Sequence, residues 1–245
     1  MKSFILLMFI LFSRLSFSQT IMSWNIQNLG ETKYKKDSVI HKITNVIKSS
    51  NADVVAIQEL VTSNWGDSCI VKICKILNFN YVISKKTTGD GSERYAFIWK
   101  KNVKLIKSYL ESSLQDSIDR EPFTGVFDFG GKNITIRQVH LVPANKNPQF
   151  EVSKLYCFNN SSDIICGDFN LTSKHVIFVP ILVKKNSPLS GQKTTLKRDG
   201  KVSENNFDHF LVSKIFTIKS SMVYFYPFNG NRNLLSDHLP IILVL

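Results

Sequence analysis

Asn25, Glu59, His140, Asp168 with Asn170, Asp208, and Asp237 with His238 each stand at or beside the end of an apolar run that reads as a β-strand. One such placement is an ordinary polar strand cap. Repeated along one chain, it predicts strand ends gathered around a common cleft. The residue types suit a particular chemistry. Hard cations such as Mg²⁺ take oxygen ligands, and Glu59, Asp237, Asn25, Asp168 and Asn170 offer carboxylates and amides. A histidine becomes a proton carrier when a carboxylate orients its other ring nitrogen. With His140 and His238 both so placed, one imidazole could activate water while the other protonates a leaving oxygen. That is phosphodiester hydrolysis in outline.

The elements that must position these groups follow from apolar spacing. Ile21 to Trp24 is a short strand entering a turn at 25–30. Val39, Ile40, Ile43, Val46 and Ile47 recur at helical spacing behind a cap at Asp37 or Ser38, and the strand Val54 to Ile57 follows. A second helix spans about Cys69 to Leu77. Strands are then expected at Asn80 to Ser84, Arg94 to Trp99, Val103 to Ser108, Phe123 to Phe129 and Asn133 to His140, with Gly130-Gly131 as a turn. Gln149 to Phe158 reads as a helix, Asp163 to Gly167 as a buried strand, and 171–206 as surface loop around the apolar piece Val176 to Val183. The last strands are Phe207 to Val212, Ile215 to Phe225 and Leu239 to Leu245. The last is expected at the fold's edge. Helical crossovers alternating with hairpin-like strands predict mixed sheets rather than one parallel sheet.

Residues 1–18 resemble a signal peptide: Lys2, an apolar run from Ile5 to Phe12, and Ser16-Phe17-Ser18 before Gln19. The run is shorter than the roughly 20 residues that span a bilayer. The expectation is a secreted or periplasmic protein with no stable membrane insertion, one domain over 19–245, and a monomer. The chain carries 31 Lys plus Arg against 19 Asp plus Glu, and about +10 remains once Lys2 and Arg14 are removed. Such an excess attracts polyanions, nucleic acid or anionic lipid, without selecting among them. Cys69, Cys74, Cys157 and Cys166 fit an oxidising compartment. Sequence order favours pairing 69 with 74 and 157 with 166, although five residues on a helix separate two side chains by about 140°. The absence of C-x-x-C argues against a four-cysteine zinc site.

N-I-Q-N at 25–28, I-Q-E at 57–59, G-D-F-N at 167–170 and S-D-H-L-P at 236–240 together resemble the endonuclease, exonuclease and phosphatase superfamily. The resemblance implies an α+β, four-layer α/β/β/α sandwich: two packed, mixed, mainly antiparallel sheets flanked by helices. S-E-R-Y-A-F-I-W at 92–99, D-R-E-P-F at 119–123, V-H-L-V-P at 139–143 and F-D-H-F-L-V at 207–212 are similar to the deoxyribonuclease I branch. By that resemblance Glu93 orients His140, Asp208 orients His238, and Arg120, Asn25 and Asn170 bind phosphate. Glu59, with Asp237 and Asn25, holds the metal. Val61 and Gly91 stand where that branch carries an Arg and a Tyr for the minor groove, so duplex preference departs from the pattern.

The resemblance implies a secreted, Mg²⁺-dependent endonuclease that cuts DNA to 5′-phosphate and 3′-hydroxyl ends. Mn²⁺ and Ca²⁺ are further candidate ions, and RNA is a second candidate substrate. His238 with Asp208 is the favoured base and His140 with Glu93 the acid, while Asp168 and Asn170 stabilise the transition state. Lys184, Lys185, Lys193, Lys197 and Arg198 are candidates for backbone contacts. Two other readings stay open: a sphingomyelinase-like or small-molecule phosphodiesterase, which a hydrophobic hairpin beside the cleft would favour, and a binding or toxin subunit without turnover. His41, His175 and His209 are expected to be structural.

Overall fold

The computed structural model describes residues 18–91, 93–225, 232 and 235–245. Apart from Ser18, the expected leader lies outside them. Twelve strands follow in chain order: β1 (Thr20–Leu29), β2 (Val54–Leu60), β3 (Asn80–Ile83), β4 (Arg94–Trp99), β5 (Lys104–Leu110), β6 (Phe123–Asp128), β7 (Asn133–His140), β8 (Asp163–Asp168), β9 (Lys185–Asn186), β10 (Asp208–Ser213), β11 (Ser220–Val223) and β12 (Ile241–Val244). The helices are α1 (Glu31–Tyr34), α2 (Asp37–Ser50), α3 (Asn64–Leu77), α4 (Pro148–Lys154) and α5 (Val179–Leu182). The strands form two six-stranded sheets, ordered β11-β12-β1-β2-β4-β3 and β5-β6-β7-β8-β10-β9. Each is antiparallel except for one parallel pair, β1 with β2 and β7 with β8.

The period-2 alternation of the strands builds the layers. In β1, Met22, Trp24 and Ile26 pack under α2 and α3, whereas Ile21 faces the other sheet. In β4, Ala96 and Ile98 face the helices, while Tyr95, Phe97 and Trp99 meet Phe123 and Phe127 between the sheets. On the outer face of the second sheet, Val139, Ile165 and Leu211 receive Val152, Leu155, Phe178 and Ile181. Three apolar layers separate four layers of secondary structure, which is the expected α/β/β/α sandwich.

Topology also explains why polar residues crowd strand ends. Parallel strands finish at the same rim, so β1, β2, β7 and β8 bring Asn25, Glu59, His140 and Asp168 to one edge of the sandwich. Strands antiparallel to them begin there: Asp208 opens β10 opposite Asp168, and Arg94 opens β4 opposite Leu60. Glu93 immediately precedes β4, and Arg120 and His238 stand three positions before β6 and β12. One rim therefore collects them all.

Some expectations are corrected. β12 lies between β11 and β1, inside its sheet rather than at the edge. The 215–225 strand shrinks to Ser220–Val223, and the Gln149–Phe158 helix becomes α4 followed by a 3₁₀ turn at Leu155–Phe158. All four cysteines are free thiols, with Cys69, Cys74 and Cys166 buried and Cys157 exposed, so neither expected disulfide forms.

Candidate active site

Asp168 ends β8 fully buried and is the hub of the rim. Its Oδ2 lies 3.4 Å from His238 Nε2 and 3.5 Å from His140 Nε2, and it accepts from Asn25 Nδ2 at 3.1 Å. Two imidazoles thus aim their outer nitrogens at one carboxylate oxygen. Each is fixed from behind by its own acid: His140 Nδ1 to Glu93 Oε1 at 2.7 Å, and His238 Nδ1 to Asp208 Oδ2 at 2.8 Å. These are the two partnerships that the sequence resemblance implies.

The backbone at the rim is bent to make this possible. Gly167 has φ +136°, and a Cβ there would lie 2.0 Å from the Val139 carbonyl oxygen, so only glycine lets β8 pass β7 before Asp168. Asn170 (φ 50°) is also left-handed; its amide N–H donates to Asp168 Oδ1 at 2.8 Å and its Nδ2 to the Leu141 carbonyl at 2.9 Å. Glu59 adopts φ 59° at the end of β2, costing roughly 1–3 kcal/mol for a residue of its type. Its carboxylate accepts from Asn25 Nδ2 and from the Asn28 amide, both at 2.9 Å, and its Oε1 lies 3.9 Å from His140 Nε2.

Burial and charge set the proton affinities. Burial alone would lower both histidine pKa values. For His140, the charge and hydrogen bond of Glu93 outweigh it and leave the value raised. For His238, the charges of Asp208 and Asp168 and the Asp208 hydrogen bond push it well above 6.5. Burial lifts Asp208 to about 6 against the pull of His238. Burial would also lift Asp168, but both histidines and the donors from Asn170 and Asn25 bring it below the usual carboxylate range.

Arg120 behaves differently from a simple surface phosphate ligand. Its guanidinium is buried and donates through Nε to the His140 carbonyl at 2.7 Å and through Nη2 to the Leu141 carbonyl at 2.5 Å. Nη1 lies 4.0 Å from Glu93 Oε2. It braces the end of β7 and faces the Glu93–His140 pair. Asp237 is half-buried, and its carboxylate contacts Arg232 at 3.3 Å.

The donor chemistry suits a divalent ion. Asp168, Asp208 and His238 each bring a ligand atom to within 4.8 Å of the others. This places the candidate metal cluster partly on residues that the sequence reading assigned to proton transfer. Glu59 and Asn25 adjoin it through Asn25 Nδ2.

Several supporting residues were given no role by the sequence reading. Tyr95 Oη accepts the His140 amide at 3.0 Å and donates to the Arg120 carbonyl at 3.2 Å. Ser236 Oγ donates to the Asn25 carbonyl at 2.7 Å and accepts the His238 amide at 3.0 Å, and Trp24 Nε1 donates to the His238 carbonyl at 3.1 Å. Thr194 Oγ1 accepts the Asp208 amide at 3.0 Å. The structural reading of His209 holds: it is buried against Phe169 and Phe178, with Nε2 2.7 Å from the Leu171 carbonyl and its pKa pushed down by burial to about 4. Among the basic loop candidates, Lys185 is corrected. It is fully buried, pairs with Asp163 and donates to the Ser161 carbonyl at 3.0 Å, so it faces no substrate.

This sandwich, with paired imidazole–carboxylate dyads at one rim, defines a class. Residues 22–238 match the Endonuclease/Exonuclease/phosphatase family, and the chain belongs to it. Membership and the buried Asp168–Asp208–His238 cluster together support metal-dependent phosphodiesterase or nuclease chemistry in general. The chain is similar to human deoxyribonuclease gamma, 26% identical over 195 residues that cover 70% of this chain and 62% of that protein. It is also similar to horse deoxyribonuclease-1, 24% identical over 187 residues that cover 66% and 64%. The match spans somewhat under two thirds of the length of either relative. D. rerio TDP2 complexed with single strand DNA product shares the fold with TM-score 0.68 at 18% identity, covering 93% of this chain and 98% of that one.

Proposed function

We propose that the protein is a secreted, divalent-metal-dependent endonuclease that hydrolyses DNA phosphodiester bonds to 5′-phosphate and 3′-hydroxyl ends. The observation that carries this reading is the convergence of His140 Nε2 and His238 Nε2 on Asp168 Oδ2, with each ring held at Nδ1 by its own carboxylate. Hydrolysis of a phosphodiester needs one group to take a proton from water and another to give a proton to the departing oxygen. Two oriented imidazoles converging on one carboxylate oxygen supply both. The deoxyribonuclease relatives support DNA as the substrate.

The carboxylates of Glu59 and Asp168, linked through Asn25 Nδ2, would hold the ion together with Asp237, Mg²⁺ by the hardness of these oxygen ligands, which leaves Asp208 and His238 to proton transfer. When bound, it neutralises charge on the scissile phosphate and on the carboxylates around it. His238 acts as the base in its neutral form, whose share grows as pH rises toward its raised pKa. Asp208 keeps the ring oriented, and its free Nε2 takes the proton of the attacking water. His140, kept protonated by Glu93, donates from Nε2 to the 3′-oxygen. Asn170 and Arg120 fix the end of β7, and Asn25 directs its amide into the centre to meet the charge that grows on phosphate.

The test is a substrate panel at equal enzyme concentration: duplex and single-stranded DNA, RNA, sphingomyelin and bis-p-nitrophenyl phosphate. DNA is expected to be cleaved fastest, and its nicks should reseal with ligase alone, which requires 5′-phosphate beside 3′-hydroxyl. Faster turnover of sphingomyelin or the small diester would replace the nuclease reading with that of another phosphodiesterase.

A further inference from the structure

The bend that brings Asn25 and Glu59 together is held by a lysine that the mechanism above does not use. β1 and β2 stay in register to Asn25 opposite Gln58 and resume at Leu29 opposite Leu60, so Ile26, Gln27 and Asn28 stand against Glu59 alone. Gln27 (φ 21°) and Asn28 (φ 53°) join Glu59 (φ 59°) in positive φ. A run of non-glycine residues in that region persists only where its surroundings hold it.

Lys33, on α1, is the hold. Its ammonium reaches back to donate to the Ile26 carbonyl at 3.0 Å and to the Gln27 carbonyl. With both carbonyls held, the amides of the same bend serve the Glu59 and Asn25 side chains. The Asn28 amide donates to Glu59 Oε2 at 2.9 Å, and the Gln27 amide donates to Asn25 Oδ1 at 3.0 Å. The second bond orients the Asn25 side chain so that its Nδ2 serves Glu59 and Asp168 together. The ammonium is also well desolvated: burial lowers its pKa to about 8 against the charges of Glu59 and Asp237.

We propose that Lys33 is a positioning residue for the divalent-ion site, holding the 26–28 bend so that the Asn28 amide and the Asn25 side chain fix the Glu59 carboxylate. This rests on the reading of Glu59 as an ion ligand. Two roles for Lys33 predict opposite signs. As a nearby positive charge it would weaken cation binding, and its removal would tighten it. As the hold on the bend, its removal weakens binding by freeing Glu59.

The experiment measures Mn²⁺ affinity from the electron paramagnetic resonance signal of free Mn²⁺, and hydrogen exchange at the Asn28 amide in metal-free protein. Lys33→Met, Lys33→Gln, Lys33→Arg and Glu59→Gln are compared with wild type, and thermal melts confirm folding. Lys33→Met is expected to raise the Mn²⁺ Kd about tenfold, the usual scale for losing a group that orients a ligand, and to speed Asn28 exchange. Lys33→Arg retains donors for both carbonyls and should stay near wild type in both. Unchanged or tighter Mn²⁺ binding with Asn28 still protected would overturn the proposal. If Lys33→Met does not fold, Lys33→Gln, which loses the charge but keeps one donor group, is judged by the same two readouts. Glu59→Gln separates the premise: wild-type Mn²⁺ affinity in that variant would remove Glu59 from the site, and the proposal with it, whatever Lys33 does to the bend.

Discussion

Glu93 and Asp208 hold their imidazoles in the same way, at 2.7 and 2.8 Å, yet the rings they hold differ in surroundings. Both rings face Asp168, but His140 has Arg120 beside its acid, whereas His238 feels the charge of Asp237 in addition to that of Asp208. Replacing either histidine by alanine should lower kcat by about 10²–10⁴-fold, the usual contribution of a general acid or base, with little change in DNA affinity. Single-turnover rates beside equilibrium binding check this; a loss confined to binding would make the rings phosphate ligands rather than proton carriers. The same electrostatics predict a stability profile. Both histidines hold a proton more tightly in the folded chain than the ordinary value of 6.5. Each therefore contributes stability that is fully present below about pH 6.5 and lost as pH rises through its folded value. Metal-free protein should melt at progressively lower temperature above that pH. Asp208→Asn, which removes the carboxylate that most favours the charged His238, should flatten the decline. Melts in EDTA from about pH 5.5 to about 9 decide it, and an equal slope in the variant would contradict the assignment.

At the scale of elements, the rim depends on strands that pass unusually close. Gly167→Ala would set a Cβ 2.0 Å from the Val139 carbonyl oxygen at φ +136°. It should destabilise the protein by about 2–3 kcal/mol in urea unfolding, and a cost below about 0.5 kcal/mol would show that β7 and β8 are freer than described. The strands were legible in the sequence because they rest on local patterns, apolar runs with polar ends, whereas the dyads were legible only through the resemblance of short motifs to a known family. Glu93 with His140 and Asp208 with His238 are such cases. What escaped notice lies across the chain. Tyr95 and Ser236 lie inside the 92–99 and 236–240 motifs, yet their bracing contacts, like that of Thr194, exist only because β4, the 194–196 segment and the turn before β12 meet there. The interior place of β12 escaped for the same reason, since strand order is a long-range property. Lys185 appeared to belong to a basic loop because nothing local to it signals the Asp163 carboxylate that buries it.

For the whole molecule, a formal net charge of +12 bears on how a polyanion is held. The 194–196 segment bridges to the His238 strand through Thr195, and a further bridge from Leu196 to Val202 folds Lys197 and Arg198 into an exposed turn beside the rim. DNA affinity should fall with salt at a slope of roughly −0.9 per phosphate contacted. The double change Lys197→Ala, Arg198→Ala should make that slope shallower by about one or two; an unchanged slope would remove this turn from the binding surface. The central claim, that the two dyads form one metal-dependent hydrolytic centre for DNA, is tested most directly by plasmid nicking. Protein and supercoiled plasmid are incubated in Mg²⁺, beside an EDTA control and a folded His140→Ala, His238→Ala double variant. The account predicts nicked circles with the wild type and none in either control. Nicking that persists in the double variant, or no nicking by the folded wild type, would contradict it.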